Sequence, residues 1–122
     1  MKNLMDGGFA GTLLSVNPKY KTVHGHDCVK SVCDLMPGLD LAIIATPIHT
    51  AIDIVTDCVG KKVSGAIIIS AGGKETGVQG RQIEDQIRKI AYDGGLRILG
   101  PNCMGLIRPG VNLNAGFASD MP

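Results

Sequence analysis

Leu39-Asp40-Leu41-Ala42-Ile43-Ile44-Ala45-Thr46-Pro47 is an almost unbroken apolar run that ends on a small polar residue and a proline. Runs of this kind form parallel strands covered on both faces, because no polar position alternates toward water. Directly behind it, Ile48, Ala51, Ile52, Val55 and Val59 return every three or four residues. A helix over this stretch therefore carries one apolar face that can lie back on the preceding strand. The pattern then repeats. Gly65-Ala66-Ile67-Ile68-Ile69-Ser70 is a second run without polar alternation, Ala71 to Gly77 is a glycine-rich loop, and Ile83, Ile87, Ile90 and Ala91 mark one side of a further helix. Strands that alternate with helices predict parallel pairing.

With 122 residues, the chain is expected to form one domain, residues 1–122, around a single core. Its net charge of +1 gives no global field toward nucleic acid or an anionic membrane, so any basic site must be local. Tryptophan is absent and there are two Tyr and two Phe, which argues against stacking recognition of single-stranded nucleic acid. The apolar runs fall far short of the ~20 residues of a membrane span. Met1-Lys2-Asn3 has none of the apolar core of a signal peptide. A cytoplasmic address with no membrane or nucleic-acid partner is expected. The four cysteines, at 28, 33, 58 and 103, form no Cys-x-x-Cys pair, and His24-Gly25-His26-Asp27-Cys28 is the one close Cys/His grouping. No metal site is expected, and the thiols read as small apolar residues kept reduced.

In chain order, Met1 to Asp6 resembles the last turns of a helix stopped at Gly7-Gly8. Thr12-Leu13-Leu14-Ser15-Val16 reads as a short strand closed by Asn17-Pro18. Lys19-Tyr20-Lys21 follows, where a dinucleotide-binding fold would place an acidic residue against the adenosine ribose. Two lysines there suit a phosphorylated ribose and disfavour plain NAD; a solvated basic loop accounts for them equally well. Val23 to Leu35 has weak strand character near Val23 and a short helix around Ser31 to Leu35, before the Pro37-Gly38 break. His49 falls in the first turn of the helix behind the central strand, with no nucleophile visible beside it.

The turn from Ala71 to Gly77 offers backbone N–H groups of the kind that cradle phosphate, although it lacks Walker A spacing. Glu84/Arg88 and Asp85/Lys89 are i,i+4 pairs worth a few tenths of a kcal/mol each, and they predict a solvent face. Gly94-Gly95 ends the helix and Leu96-Arg97-Ile98-Leu99 makes a strand. Gly100-Pro101-Asn102-Cys103-Met104-Gly105 then places Asn102 and Cys103 beyond that strand's carboxyl end, where open parallel sheets bind ligands. A purely structural role for Asn102, bonding its own backbone in a tight turn, stays open. Ile107 to Pro122 shows little periodicity and reads as a wrapping loop.

Six segments, in order and at compatible spacing, carry a family resemblance: Gly8-Phe9-x-Gly11, Val16-Asn17-Pro18-Lys19-Tyr20, Asp40 to Pro47, Ile69-Ser70-Ala71-Gly72, Ile98 to Leu106, and Leu113-Asn114-Ala115-x-Phe117-Ala118. Together they resemble the CoA-binding domain of NDP-forming acyl-CoA synthetases, whose relatives include succinyl-CoA ligase alpha subunits and ADP-forming acetyl-CoA synthetases. The same domain is fused to an acetyltransferase module in bacterial protein lysine acetyltransferases. The resemblance implies an α/β, Rossmann-like doubly wound parallel sheet with CoA or acyl-CoA across the carboxyl ends of its strands. Carried over by position, Val16, Asn17, Pro18 and Lys19 would line the adenosine end. Ala45, Thr46 and Pro47 would line the middle, Ser70, Ala71 and Gly72 the pantetheine, and Asn102 and Cys103 the thiol end. No catalytic residue is implied, Cys103 included.

Two departures from the family pattern shape the expectation. The family's first, central strand with its Gly-rich turn has no counterpart before Met1, and neither the Ser-Gln-Ser-Gly segment nor the domain bearing the phosphorylated histidine follows Pro122. The expectation is thus a CoA-binding part of an acid–thiol ligase that is not catalytically complete alone. Its partners would be the remaining domains or a beta-type subunit, with self-association through exposed strand edges. A CoA-sensing domain of a lysine acetyltransferase is one alternative. An NAD(P)-binding oxidoreductase module is another, although the Gly-x-Gly-x-x-Gly turn it needs is absent.

Overall fold

A computed structural model describes residues 2–6, 8–23 and 25–116. Gly7 as a helix stop, His24, and the segment Phe117 to Pro122 with its wrapping loop lie outside the described residues. In chain order the elements are α1 (Lys2–Asp6), β1 (Ser15–Val16), β2 (Thr22–Val23), β3 (His26–Val29), β4 (Leu41–Ile44), α2 (Ile48–Gly60), β5 (Gly65–Ile68), α3 (Val78–Asp93), β6 (Arg97–Leu99), β7 (Gly105–Arg108) and β8 (Leu113–Gly116). They gather into two compact units, one from Met1–Leu35 with Met104–Pro122 and one from Met36–Cys103.

The Met36–Cys103 unit carries the parallel ladder, in the order β4-β5-β6. Leu41 to Ile44 pair with Gly65 to Ile68, and Gly65 to Ile67 pair with Arg97 to Leu99. The backbone N–H of Ile69 donates to the Ile44 carbonyl at 2.9 Å and extends the first pairing by a rung. The α/β alternation is therefore as expected, but the sealed strand is β5 and not β4. Ala66, Ile67 and Ile68 are at most 2% exposed, while Ile43 keeps 36% of its surface. The reason is position: β5 is flanked on both sides, and β4 has a ladder partner on one side alone among the described residues.

Two helices bury their apolar stripes in this unit. Ala51, Val55 and Cys58 of α2 and Gly80, Glu84, Ile87 and Ala91 of α3 recur at helical spacing and are buried. Burial, with the neighbouring Asp57 charge, pushes the Cys58 thiol up to about 11, so it stays protonated and serves as a core residue. The expected solvent face of α3 needs correction. Glu84 is only 6% exposed and lies 3.8 Å from Arg88, and Lys89 pairs with Asp93 at 2.8 Å instead of with Asp85. Glu84 shares its stripe with Gly80, Ile87 and Ala91, one helical turn apart, so periodicity puts it inside.

In the other unit β1 is shorter than the expected Thr12–Val16 strand. Only Ser15 and Val16 pair, in parallel with Cys28 and Val29 of β3. β2 joins the opposite edge of β3, antiparallel, and Ser31 caps a turn of 3₁₀ helix over Val32–Asp34. The region after Met104 contradicts the wrapping-loop expectation as far as it is described. β7 and β8 form an antiparallel hairpin, Gly105 opposite Gly116 and Arg108 opposite Leu113. Gly-Leu-Ile-Arg alternates in exposure as a half-buried strand does, but over only four residues, too short for its period to register. Among the described residues no helix is long and apolar enough to cross a membrane.

Candidate functional site

Three loops of the Met36–Cys103 unit leave the carboxyl ends of its three parallel strands and are stitched to one another by hydrogen bonds. After β4, Ala45 and Thr46 lead to Pro47 at the start of α2. After β5, the Ser70 hydroxyl donates to the Thr46 carbonyl. After β6, the Asn102 N–H donates to the Ser70 carbonyl at 2.8 Å. Thr46, Ser70 and Asn102 thus form one continuous polar rim, as parallel topology requires of loops that all follow strands running the same way. Ala45, Thr46, Pro47, Ala71 and Asn102 are exposed on it, and Ser70, Gly72 and Cys103 are half-exposed.

The turn after β6 is held from below. Gly100 has φ +98, and a Cβ there would stand 2.1 Å from the Ile68 carbonyl oxygen, so only glycine lets the turn approach β5 this closely. Asn102 follows in the left-handed region at φ 56. The Cys103 thiol turns back into the ladder end, 3.3 Å from the Ile68 carbonyl and 3.9 Å from that of Leu99. That placement suits a packing residue.

The loop after β5 is closed on itself by two residues that the motif reading passed over. The Glu75 carboxylate accepts from the N–H groups of Gly72 at 2.6 Å and Gly73 at 3.1 Å. The Thr76 hydroxyl shares its one hydrogen between the carbonyls of the same two residues, at 3.2 and 2.9 Å. The backbone hydrogen bonds hold the Glu75 carboxyl below the usual carboxylate range, the Gly72 bond being the largest cause. Consequently the N–H pair read as a phosphate cradle is already filled by the chain's own carboxylate. The spacing gave a partial signal for this: a Glu just inside a helical turn can reach back to the N–H groups at its start, as the carboxylate of a capping box does. Gly80 completes the clamp, since a Cβ there would meet the Gly73 carbonyl oxygen at 1.9 Å and Thr76 Oγ1 at 2.1 Å.

At the start of α2 the Thr50 hydroxyl donates to the Pro47 carbonyl at 2.6 Å and lies 2.7 Å from Thr46 Oγ1. Thr50 was also missed, although its i,i+4 relation to Thr46 was readable. The first group of predicted residues sits in the other unit. There Asn17 donates its N–H to Val29, while its side-chain oxygen accepts from Lys19 N at 2.8 Å and Tyr20 N at 3.2 Å. This Asx turn is why Pro18 and Lys19 stand exposed, next to Val16 with 37% of its surface open.

The sequence profile of the CoA binding domain matches residues 1–109. The chain belongs to the CoA-binding domain family. An ADP-forming acetate–CoA ligase of Methanocaldococcus jannaschii is 42% identical to this CoA-binding domain over 122 residues, 100% of this chain and 17% of that protein. The ADP-forming acetate–CoA ligase I of Archaeoglobus fulgidus is 40% identical over 122 residues, 100% of this chain and 18% of its own length. Among solved structures, the dinucleotide forming acetyl-coenzyme A synthetase 1 of Ca. Korarchaeum cryptofilum, in complex with phosphate and ADP, superimposes with a TM-score of 0.91 at 31% identity. That match covers 98% of this chain and 26% of the other. These likenesses bear out the Rossmann-like α/β reading, and the chain spans 17–18% of the length of the two ligases.

Proposed function

We propose that this chain holds coenzyme A or its acyl thioester for an NDP-forming acyl-CoA synthetase, with the ligation chemistry supplied by remaining domains or a beta-type subunit. The family match over residues 1–109 carries this reading. The rim supports it. A pantetheine arm is long, uncharged and studded with amides, and a row of backbone and hydroxyl groups at Thr46, Ser70 and Asn102 suits such an arm better than it suits a compact anion. In its own unit, the Asn17 turn offers Lys19 as a cation for a phosphorylated ribose. The cytoplasmic address expected from the sequence belongs to the same reading.

Isothermal titration tests the reading. Saturable heat with CoA and none with NADP is expected; binding of NADP without CoA would refute it.

A further inference from the structure

The rim's hydroxyl groups have a fixed hydrogen-bond polarity, and it follows from counting hydrogens. Each threonine or serine hydroxyl has one hydrogen to give and two lone pairs to offer. Thr50 spends its hydrogen on the Pro47 carbonyl, which can only accept. In the 2.7 Å contact between Thr46 Oγ1 and Thr50 Oγ1 the donor must then be Thr46. Ser70 has likewise given its hydrogen to the Thr46 carbonyl. Both rim hydroxyls are left with lone pairs alone. The neighbouring Gly72 and Gly73 N–H groups are no counterweight, because the Glu75 carboxylate occupies them. An oxyanion laid on the side chains of Thr46 and Ser70 and on Gly72 would meet two sets of oxygen lone pairs and a carboxylate.

We propose that Thr50 is a positioning residue that makes this rim selective for a hydrogen-bond donor, so that the ligand group it receives is a secondary amide N–H and not a phosphate. The inference rests on the CoA reading and sharpens it. The two amide N–H groups of the pantetheine arm lie against Thr46 and Ser70, and the phosphates of the ligand lie elsewhere. Removing the Thr50 hydroxyl returns a hydrogen to Thr46, which then has one to give.

The test uses CoA and analogues in which one or the other pantetheine amide N–H is replaced by an ester oxygen, titrated calorimetrically into the folded chain and into Thr50→Ser and Thr50→Val. In the unaltered chain at least one ester analogue binds more weakly than CoA by about two- to tenfold, the worth of one neutral hydrogen bond. Thr50→Ser keeps that penalty. Thr50→Val abolishes most of the penalty for the analogue whose ester oxygen faces Thr46, because the freed Thr46 hydrogen can meet it, and leaves any penalty at Ser70 as it was. Equal binding of CoA and both ester analogues by the unaltered chain overturns the inference while leaving the CoA reading intact, and decides the matter even if Thr50→Val fails to fold. Penalties that persist undiminished with both analogues in folded Thr50→Val overturn Thr50's role. Absence of any CoA binding overturns the reading beneath and the inference with it.

Discussion

Glu75 shows how one side chain decides what a loop can do. A glycine pair ahead of a short helical turn is an invitation to anions, because its N–H groups have no partners of their own. Here a carboxylate three residues on accepts that invitation from within. Hydrogen bonds that favour the charged form lower a carboxyl's pKa, so the clamp is complete above the ordinary value and is lost as pH falls through the lowered one. Amide shifts of Gly72 and Gly73 followed by NMR should therefore titrate together with a midpoint below the ordinary 4.5. A midpoint at or above it would show that the carboxylate is not where the bonding places it. The residues of the rim were legible in the sequence because small polar residues after apolar runs mark strand ends. For Glu75 and Thr50 the spacing carried a hint, but what Glu75, Thr76 and Thr50 do lies in which hydrogens are already spent, and that needs coordinates.

At the scale of elements, α3 and the loop before it are fitted to each other at Gly80. Replacing an interior helical glycine with alanine ordinarily stabilises a helix by about 1 kcal/mol. The added Cβ at Gly80 would instead collide with a backbone carbonyl at 1.9 Å. Overpacking costs typically about 1–3 kcal/mol, which exceeds the propensity gain. Gly80→Ala is thus expected to lower stability in chemical denaturation and to uncouple the Gly72 and Gly73 amides from Glu75; an unchanged or raised midpoint would contradict the packing. Element type was readable where the period ran long enough, as in α2 and α3. It failed for β7 and β8, each four residues, and for the strand expected over Thr12–Val16, of which two residues pair. The same periodicity, taken strictly, would have put Glu84 on the buried stripe; its charge argued it outward.

For the whole molecule, the topology leaves β4 and β6 each with one edge that has no ladder partner among the described residues. Ile43 on β4 and Leu99 on β6 keep 36% and 45% of their surface exposed beside those edges. Unpaired edges flanked by apolar side chains recruit further strands. Concentration-dependent self-association of the 122-residue chain is the expected result in light scattering, and a monomer at all concentrations would count against it. The parallel ladder and its one-sided loops were legible from the alternation of apolar runs and helices. The strand order was not, since an apolar run cannot say whether both of its edges are met by other strands, and so β4 was taken for the sealed strand that β5 is.

The most direct measurement is a CoA titration of the isotope-labelled chain read residue by residue. The account predicts that the amides of Thr46, Ser70, Gly72 and Asn102 shift together along one binding curve, while those on the opposite ends of β4, β5 and β6 stay still. Saturable binding that moves the far ends of the strands and leaves these four unmoved would contradict it.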